Sequence, residues 1–449
     1  MTLALAASLS VGGCASAEVA AQIDRLAAST LRMERPTNPA PPAAVTRDAA
    51  VEFALDRDPT RRAALHRARA ALHDAEAARA LPAPQVGVQV WRVPFDEPWN
   101  WGRASMLMLE LRQGFTPLGA REGRSRAALF EAQGALAELS SRERALAKSV
   151  ALAHAEWVDG ALHHSLHHAH LGVVGGMLEI VRARFAAGGA NLGGVTRVEA
   201  EQARVHRALV RYEARRDRAA RALEALLRLD EGSLPAEPPA EALVVEDVDV
   251  ELPALLTAAL GQRPELRARA AAEAAASARH QAARAEATVP RVEVGASVMG
   301  DPGVGVGYGL NAMMSLPWLS SAGAAAARAA GERLLAARED TAGVEATIRG
   351  EVATAHTRLA GARRELAVMH GQALPAARRA VMAARSAYSV GGETLLGWID
   401  AERVLLDLEM DDAELRAELL RAVAELEWAV GAPLPRHPLV LAPITGASE

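Results

Sequence analysis

The hydrophobic positions of this chain recur with a helical period over most of its length, and the longest such pattern lies near the carboxyl end. Between 387 and 431, apolar residues recur at spacings of three, four and seven, which predicts a turn followed by a helix of about 30 residues. Gly391, Gly392 and Gly397 lie at the turn, where a reversing chain needs backbone freedom. The apolar stripe of the helix consists of Leu408, Leu415, Leu419, Ala422, Leu426 and Ala429.

The same pattern occurs once more, 203 residues earlier. Two copies indicate an internally duplicated fold rather than a solenoid, which needs at least about three repeats. The aligned residues are Phe185, Gly188, Gly194, Glu199 and Leu223 in the first copy and Tyr388, Gly391, Gly397, Glu402 and Leu426 in the second. We expect a first repeat at 47–230, an acidic Pro-rich linker at 231–250, a second repeat at 251–435 and a tail at 436–449.

Each repeat also contains a stretch in which the period changes from helical to alternating. Leu107, Leu109 and Leu111, for example, share one side of an extended segment. Alternation of this kind predicts two hairpins, with strands at about 85–93, 105–115, 291–299 and 304–316.

A long, proline-poor helical run follows each hairpin. The first, Leu118–Ala183, would be about 100 Å long as one helix. The second, Ser320–Ser386, is expected to be interrupted at Pro375. The shorter helices that precede the hairpins are expected to break at Asp58-Pro59 and at Arg263-Pro264. Each repeat should therefore contain two long antiparallel coiled-coil helices and one hairpin.

The four strands have the length that crosses a bilayer at a tilt, about 9–11 residues. Aromatic residues, which membrane interfaces favour, lie in or beside them: Trp91, Phe95, Trp99, Trp101, Phe115, Tyr308 and Trp318. Four strands cannot close into a spanning barrel, and open edges are not tolerated in lipid. The interpretation is a β-barrel shared between copies of the chain; a soluble sandwich with one buried face is the alternative.

Composition narrows the class of protein further. Half of the residues are apolar but only 3% are aromatic, which suits closely packed Ala-rich helices. A net charge of −5 with interspersed Arg and Glu offers no basic face for nucleic acid. After the first dozen residues no apolar run reaches the roughly 18 residues of a transmembrane helix.

The only cysteine, Cys14, follows a short apolar segment and two glycines. This resembles a bacterial lipoprotein signal at 1–14, in which the cysteine becomes the acylated first residue, although no Lys or Arg precedes it. A lone buried thiol is the alternative. Residues 15–46 would then form an N-terminal spacer, Pro-rich and extended at 35–46.

Two groups of residues could bind metal. Five histidines fall within the first long helix, at His163, His164, His167, His168 and His170, and imidazoles one turn apart can chelate Zn, Cu or Co. The interpretation favoured over a metal site is a polar patch that lines solvent. The strand methionines, Met106, Met108, Met299, Met313 and Met314, are expected to face lipid or neighbouring side chains.

Over about 45–435 the chain resembles the outer-membrane efflux protein family, the TolC-like exit ducts of Gram-negative bacteria. The resemblance rests on the duplication, on Arg-Pro-Glu-Leu at 263–266, on Leu316-Pro317-Trp318, and on Tyr388-x-x-Gly391 followed by Asp400. It implies a homotrimer with a 12-stranded barrel in outer-membrane lipid and an α-helical tunnel in the periplasm. A periplasmic adaptor and an inner-membrane pump are the implied partners, and no cofactor is expected.

In this family the turns between the long helices form the periplasmic tip, and the second turn narrows the resting tunnel. Tyr388 and Asp400 match the family's positions there, but Gly397 replaces a second acid and Glu393 stands where a basic partner is usual. The first-repeat tip comprises Phe185, Gly188, Gly194 and Arg197. Three copies of Asp400 and Glu393 around one axis would attract cations; ordinary solvated residues at a helix start are the alternative.

The leading hypothesis is therefore an outer-membrane exit duct for tripartite efflux, with drug efflux and type I secretion as alternatives. Met-bearing strands followed by Gln113-x-x-x-Pro117 resemble members that serve heavy-metal resistance, which favours metal cations as cargo. A lipid-tethered coiled-coil scaffold and a metal-binding lipoprotein are the other hypotheses. No nucleophile elbow, phosphate loop or zinc-protease motif indicates an enzyme.

Overall fold

A computed structural model describes residues 2–36, 39–93, 95–96, 98–99, 104–235, 237–239, 244–301, 305–392 and 394–439. Side chains are described from residue 17 onward. Glu393 and Trp101, both singled out from the sequence, lie outside these residues, as does the side chain of Cys14. Contacts divide the chain into one unit of residues 1–34, 62–139 and 264–345 and a second of residues 35–61, 140–263 and 346–449.

Helices dominate both repeats. The first repeat contains α2 (Arg47–Arg57), α3 (Pro59–Arg79), α4 (Leu118–Ala186) and α5 (Leu192–Leu227), after an N-terminal α1 (Thr2–Arg32). The second contains α6 (Leu252–Gln262), α7 (Pro264–Thr288), α8 (Ser321–Val368), α9 (Leu374–Ser389) and α10 (Leu395–Val430). The predicted breaks at Pro59 and Pro264 are confirmed, and α4 is one continuous helix of 69 residues.

The interruption predicted at Pro375 is also present, as five residues of π-helix at Met369–Ala373 between α8 and α9. Proline has no N–H to donate to the carbonyl four residues back, so the helical ladder must shift near it. The shift is visible in Leu374, whose N–H bonds to the carbonyl of Met369, five residues back.

Two hairpins form a single four-stranded antiparallel sheet in the order β1–β2–β4–β5. Its strands are β1 (Gln85–Trp91), β2 (Met106–Phe115), β4 (Val292–Asp301) and β5 (Gly305–Met314). The register aligns Val88 with Leu109, Leu109 with Val298, and Val298 with Tyr308, so these side chains share one face. The strands β3 (Glu246–Asp247) and β6 (His437–Pro438) form a separate two-stranded pair.

Small residues allow close helix packing in each unit. In the first, a Cβ at Gly123 of α4 would lie 2.8 Å from the Cβ of Ala282 on α7. In the second, a Cβ at Gly160 of α4 would lie 2.9 Å from the Cα of Arg216 on α5. The alanine-rich, aromatic-poor composition thus reflects helices whose backbones approach closely. Among the residues described, none of the helices combines the length and apolar character needed to span a bilayer.

The arginine of the Arg-Pro-Glu-Leu motif packs against the C-terminal end of α10. The buried guanidinium of Arg263 donates to the carbonyl of Ala429 at 2.9 Å and to Glu351 at 2.9 Å, and its Cζ lies 4.4 Å from the Trp428 ring centroid. The guanidinium satisfies the carbonyl of Ala429, which lies in the last turn of the helix and has no partner inside it.

Residues 15–32 of the N-terminal spacer expected at 15–46 are helical, because α1 continues to Arg32. Val19 and Ile23 are buried against Ala75 of α3 and Leu129 of α4. Burial of these apolar side chains stabilises helix up to the Pro-rich part, and only that part remains irregular.

Candidate functional site

The two turns between long helices are built by the same hydrogen bonds. Gly188 and Gly391 have φ of +74° and +82°, a conformation that favours glycine. The N–H of Gly188 bonds to the carbonyl of Phe185 at 3.0 Å, as that of Gly391 bonds to Tyr388 at 3.2 Å. Equivalent bonds follow one residue later in each turn. The duplication seen in the sequence therefore extends to the local backbone.

Capping residues then begin the returning helices at equivalent positions. The Asn191 side chain accepts from the N–H of Gly194 at 2.9 Å, and the Thr394 hydroxyl accepts from the N–H of Gly397 at 3.1 Å. Side-chain oxygens at this position satisfy an N–H that has no partner within the helix. Gly194 and Gly397 thus lie in the first turns of α5 and α10.

The two turns belong to one apolar cluster in the second unit, which we call the tip. Tyr388 is buried, with its ring centroid 5.4 Å from that of Trp398. Arg184 of α4 donates to the carbonyl of Tyr388 at 2.8 Å and lies 4.6 Å from its ring centroid. Their shared neighbours are Val174, Met177, Leu178, Val181, Val195, Val198, Val205 and Ile399. The tip is therefore one packed body contributed by both repeats.

A buried carboxylate links the returning helices of the two repeats within the tip. Glu201 of α5 is 3% exposed and accepts from Arg204 of its own helix at 2.6 Å and from Arg403 of α10 at 2.5 Å. Burial alone would raise the pKa of Glu201, but the two arginines outweigh it and hold the pKa below its ordinary value. Asp400, more than half exposed, lies 3.6 Å from Arg403. The link therefore stays charged at neutral pH.

A second buried acid in the tip behaves differently. Glu402 of α10 accepts from the indole Nε1 of Trp398 at 3.1 Å. Burial raises the pKa of this carboxyl, and the bond from Trp398 offsets only part of the effect. Its counterpart in the first repeat, Glu199, pairs instead with Arg182 on an exposed surface.

The structure separates the predicted tip residues by exposure. Tyr388 is buried, whereas its repeat counterpart Phe185 is 44% exposed and Arg197 is also exposed. Sequence reasoning missed Glu201 and Arg403. The available signal was an acid at a position of the apolar stripe of α5, among Val195, Val198 and Val205.

Gly391→Ala is expected to lower stability by about 1–2 kcal/mol, because an L-residue at this positive φ is strained. A Cβ there would meet no atom within 4 Å, so the cost comes from the backbone alone. Gly176→Ala, in the interior of α4 with equally open space, should instead stabilise the helix by up to about 1 kcal/mol. Thermal unfolding of both variants measures the difference; equal effects would contradict the assigned turn.

The five histidines of α4 do not form the solvent-lining patch expected from the sequence. His163, His167 and His170 are buried and only His168 is exposed, because their face of α4 packs against α5. The rings of His163 and His167 stack on Tyr212 of α5, with centroids 5.1 and 4.7 Å away. The expectation of a solvated patch is therefore wrong for these three residues.

Burial also sets the protonation of the histidines. Both ring nitrogens of His167 and Nε2 of His170 have no hydrogen-bond partner among the described residues. Burial lowers the pKa of each to about 4. For His163 burial is outweighed by Asp159, whose Oδ1 lies 3.1 Å from Nδ1, and the pKa is raised.

Among the described residues, one group of two acids and a histidine is close enough together to bind a metal ion, but an arginine side chain lies within it. Ligand atoms of Asp159, His163 and Glu414 lie within 4.8 Å of one another. The Arg215 guanidinium lies among them, 2.6 Å from Asp159 and 3.8 Å from Glu414. It neutralises the acids that a metal ion would use. His164 and His168, with ring centroids 6.5 Å apart, remain candidate ligands.

His167→Phe is expected to make the helices more resistant to acid. The pKa of His167 is about 4 in the folded chain against an ordinary 6.5, so the unfolded state takes up a proton first and stability falls as the pH drops from about 6.5 towards 4. Phe keeps an aromatic ring against Tyr212 and cannot be protonated. We expect a relative gain of roughly 2 kcal/mol at pH 4.5 compared with pH 7, measured by circular dichroism. Exposed His168→Phe is the control; unchanged acid sensitivity in His167→Phe would contradict the prediction.

One family model matches most of the chain. The sequence matches the family described as outer membrane efflux protein over residues 50–227 and again over 255–432. No curated protein gives a significant match.

Solved channel structures share the fold at low sequence identity. CusC, a protein that forms a transmembrane channel, matches with a TM-score of 0.74 at 16% identity over 87% of this chain and 93% of its own. The outer membrane protein VceC of Vibrio cholerae matches with a TM-score of 0.69 at 21% identity, over 86% of this chain and 96% of its own. The outer membrane channel MtrE of Neisseria gonorrhoeae matches with a TM-score of 0.71 at 20% identity, over 86% of this chain and 89% of its own.

Proposed function

The chain belongs to the outer membrane efflux protein family, and from this premise we propose that three copies assemble into the exit duct of a tripartite efflux system. Each copy would supply four strands to a twelve-stranded barrel in the outer membrane and its long helices to a tunnel in the periplasm. The duct conducts passively, and the energy for export comes from an inner-membrane pump.

One observation carries this proposal: the four-stranded sheet is incomplete as it stands. Its edge strands β1 and β5 each leave one side without a strand partner among the described residues. One face exposes apolar side chains on all four strands, including Leu109 at 54%, Val298 at 54% and Tyr308 at 85%. Such a face suits lipid, but open edges do not, so the edges must pair with those of other copies.

The tip is the proposed docking point for the periplasmic adaptor. Apolar side chains remain exposed around both turns: Phe185, Leu192, Val390 and Leu396. Exposed apolar groups at the end of a packed body favour burial against a partner. Around the same axis, three copies of Asp400 and Glu393 would place acidic groups at the narrowest part of the tunnel and favour cations.

Acylation of Cys14 is the proposed second attachment to the membrane. Labelling with a radioactive fatty acid in cells tests it. The wild type should incorporate label and Cys14→Ser should not; equal labelling would contradict the assignment.

The duct itself is tested by isolating the protein from outer membranes. We expect a trimer that migrates as such in unheated gels, becomes monomeric on boiling, and conducts ions in planar bilayers. A lipid-tethered scaffold would give a soluble, non-conducting protein once the anchor is removed, and that result would overturn the proposal.

A further inference from the structure

The histidines of α4 include two pairs whose members lie one helical turn apart, and the two pairs differ in their surroundings. In the first pair, the rings of His163 and His167 are buried and stack on Tyr212 of α5. In the second pair, His168 is exposed and His164 is partly exposed. Neither ring of the second pair takes part in a hydrogen bond or an ion pair with another described residue. The nitrogens of the second pair are therefore open to a ligand from solvent.

The rings of His164 and His168 lie close enough together to share one metal ion. Positions four residues apart are neighbours on the same face of a helix. The two ring centroids are 6.5 Å apart, and the ring planes are inclined by 34°. Two imidazoles bonded to one ion, with nitrogen–metal bonds of about 2.0–2.1 Å, have centroids roughly 5–6 Å apart. The rings thus need to approach by only about 1 Å, which side-chain rotation of the exposed His168 allows.

The charges around this pair also suit a bound cation. Glu213 and Asp217 of α5 lie near enough to His164 to act on it electrostatically, and both carboxylates are more than half exposed. Arg216 acts in the opposite sense, but it is paired with Asp217 at 2.8 Å. Burial, and then Arg216, lower the pKa of His164, so this ring is neutral at pH 7 and can offer a lone pair to a metal ion.

We propose that His164 and His168 form a chelating site for a divalent transition-metal ion, Cu²⁺, Ni²⁺ or Zn²⁺, on the surface of α4. Imidazole nitrogen suits these ions, whereas Mg²⁺ and Ca²⁺ prefer oxygen ligands. Water completes the coordination shell, because His168 is open to solvent. Two ligands held one turn apart bind more tightly than one, since the first bond raises the effective concentration of the second ligand. The site depends only on α4 and α5, so it goes beyond the proposed duct function.

Zn²⁺ is the first probe, titrated calorimetrically at neutral pH into the purified full-length protein after removal of metal by a chelator. The variants are His164→Gln, His168→Gln and the double variant. Gln favours helix at least as well as His does, so each variant should fold as wild type does. We expect each single substitution to weaken Zn²⁺ binding by at least about tenfold, because either one destroys the chelate. The double variant should lose little more than either single variant.

His206→Gln is the matched control for these variants. His206 is an exposed histidine of α5 with no other histidine one turn away, so its removal should leave Zn²⁺ affinity as in wild type. Cu²⁺ is the second probe, added at an equimolar amount. Its electron paramagnetic resonance spectrum should show nitrogen couplings from two imidazoles in wild type and in His206→Gln, but not in His164→Gln or His168→Gln.

Equal Zn²⁺ affinity in wild type and the double variant would overturn the site. A loss in His206→Gln as large as that in the double variant would also overturn it, because binding would then not depend on a pair. Single-variant losses that add up to the loss in the double variant would indicate two independent imidazoles, and that result would likewise contradict a chelate.

Discussion

Leu109→Arg is expected to remove most of the heat-modifiable trimer from the outer membrane. Leu109 lies near the middle of β2 on the apolar face, with Val88 and Val298 on either side. An arginine facing lipid near the bilayer midplane costs about 2–4 kcal/mol per chain, and a trimer would carry three of them. Immunoblots of unheated outer-membrane fractions measure the loss.

Gln89→Arg is the matched control for this change. Gln89 lies on β1 beside Met108, on the polar face, where an added charge would meet the aqueous lumen. We expect it to assemble normally and to alter ion selectivity at most. Normal assembly of Leu109→Arg, or equal loss in both variants, would show that the apolar face does not meet lipid.

Arg403→Ala is expected to loosen the tip and to raise the conductance of the purified duct. It removes the bonds from α10 to the buried Glu201 of α5 and leaves that carboxylate with Arg204 alone. Because Arg403 is itself 42% exposed, the expected loss of stability is only about 1–2 kcal/mol. The bonds that are lost join the two repeats near Asp400, so the helices at the tip should separate more easily.

Arg204→Ala is the matched control, because it also removes an arginine from Glu201 but leaves the bond between α5 and α10 in place. Arg204 also bonds Glu201, but from three residues along the same helix. Its removal should therefore leave the two repeats joined and conductance close to wild type. Equal conductance in Arg403→Ala and wild type, or equal opening in Arg204→Ala, would count against the role of this link.

Much of the fold follows from local features of the sequence. Pro59, Pro264 and Pro375 each remove a backbone donor, and each marks a break or shift in a helix. Alternation marks the four strands, and the repeat spacing finds both turns. These features depend on neighbouring residues alone, so they can be recognised without knowing the tertiary contacts.

Features that depend on a partner element were harder to predict. The burial of His163 and His167 comes from Tyr212, some 50 residues away on α5. The helical course of residues 15–32 comes from contacts with α3 and α4. The alternation already places Met108 and Leu109 on opposite faces of the sheet, but the pairing of Met108 with Met299 depends on the register between the two hairpins. Contacts between copies lie beyond what one chain contains.

Cross-linking of strand edges tests the shared barrel most directly. In a Cys14→Ser background, Tyr308→Cys on β5 is combined in turn with Val86→Cys, Val88→Cys or Val90→Cys on β1, all on the apolar face. If β1 of one copy pairs with β5 of the next, oxidation of at least one combination should give a covalent ladder that ends at the trimer. Chains that remain monomeric in every combination, or that polymerise without limit, would contradict a closed barrel of three copies.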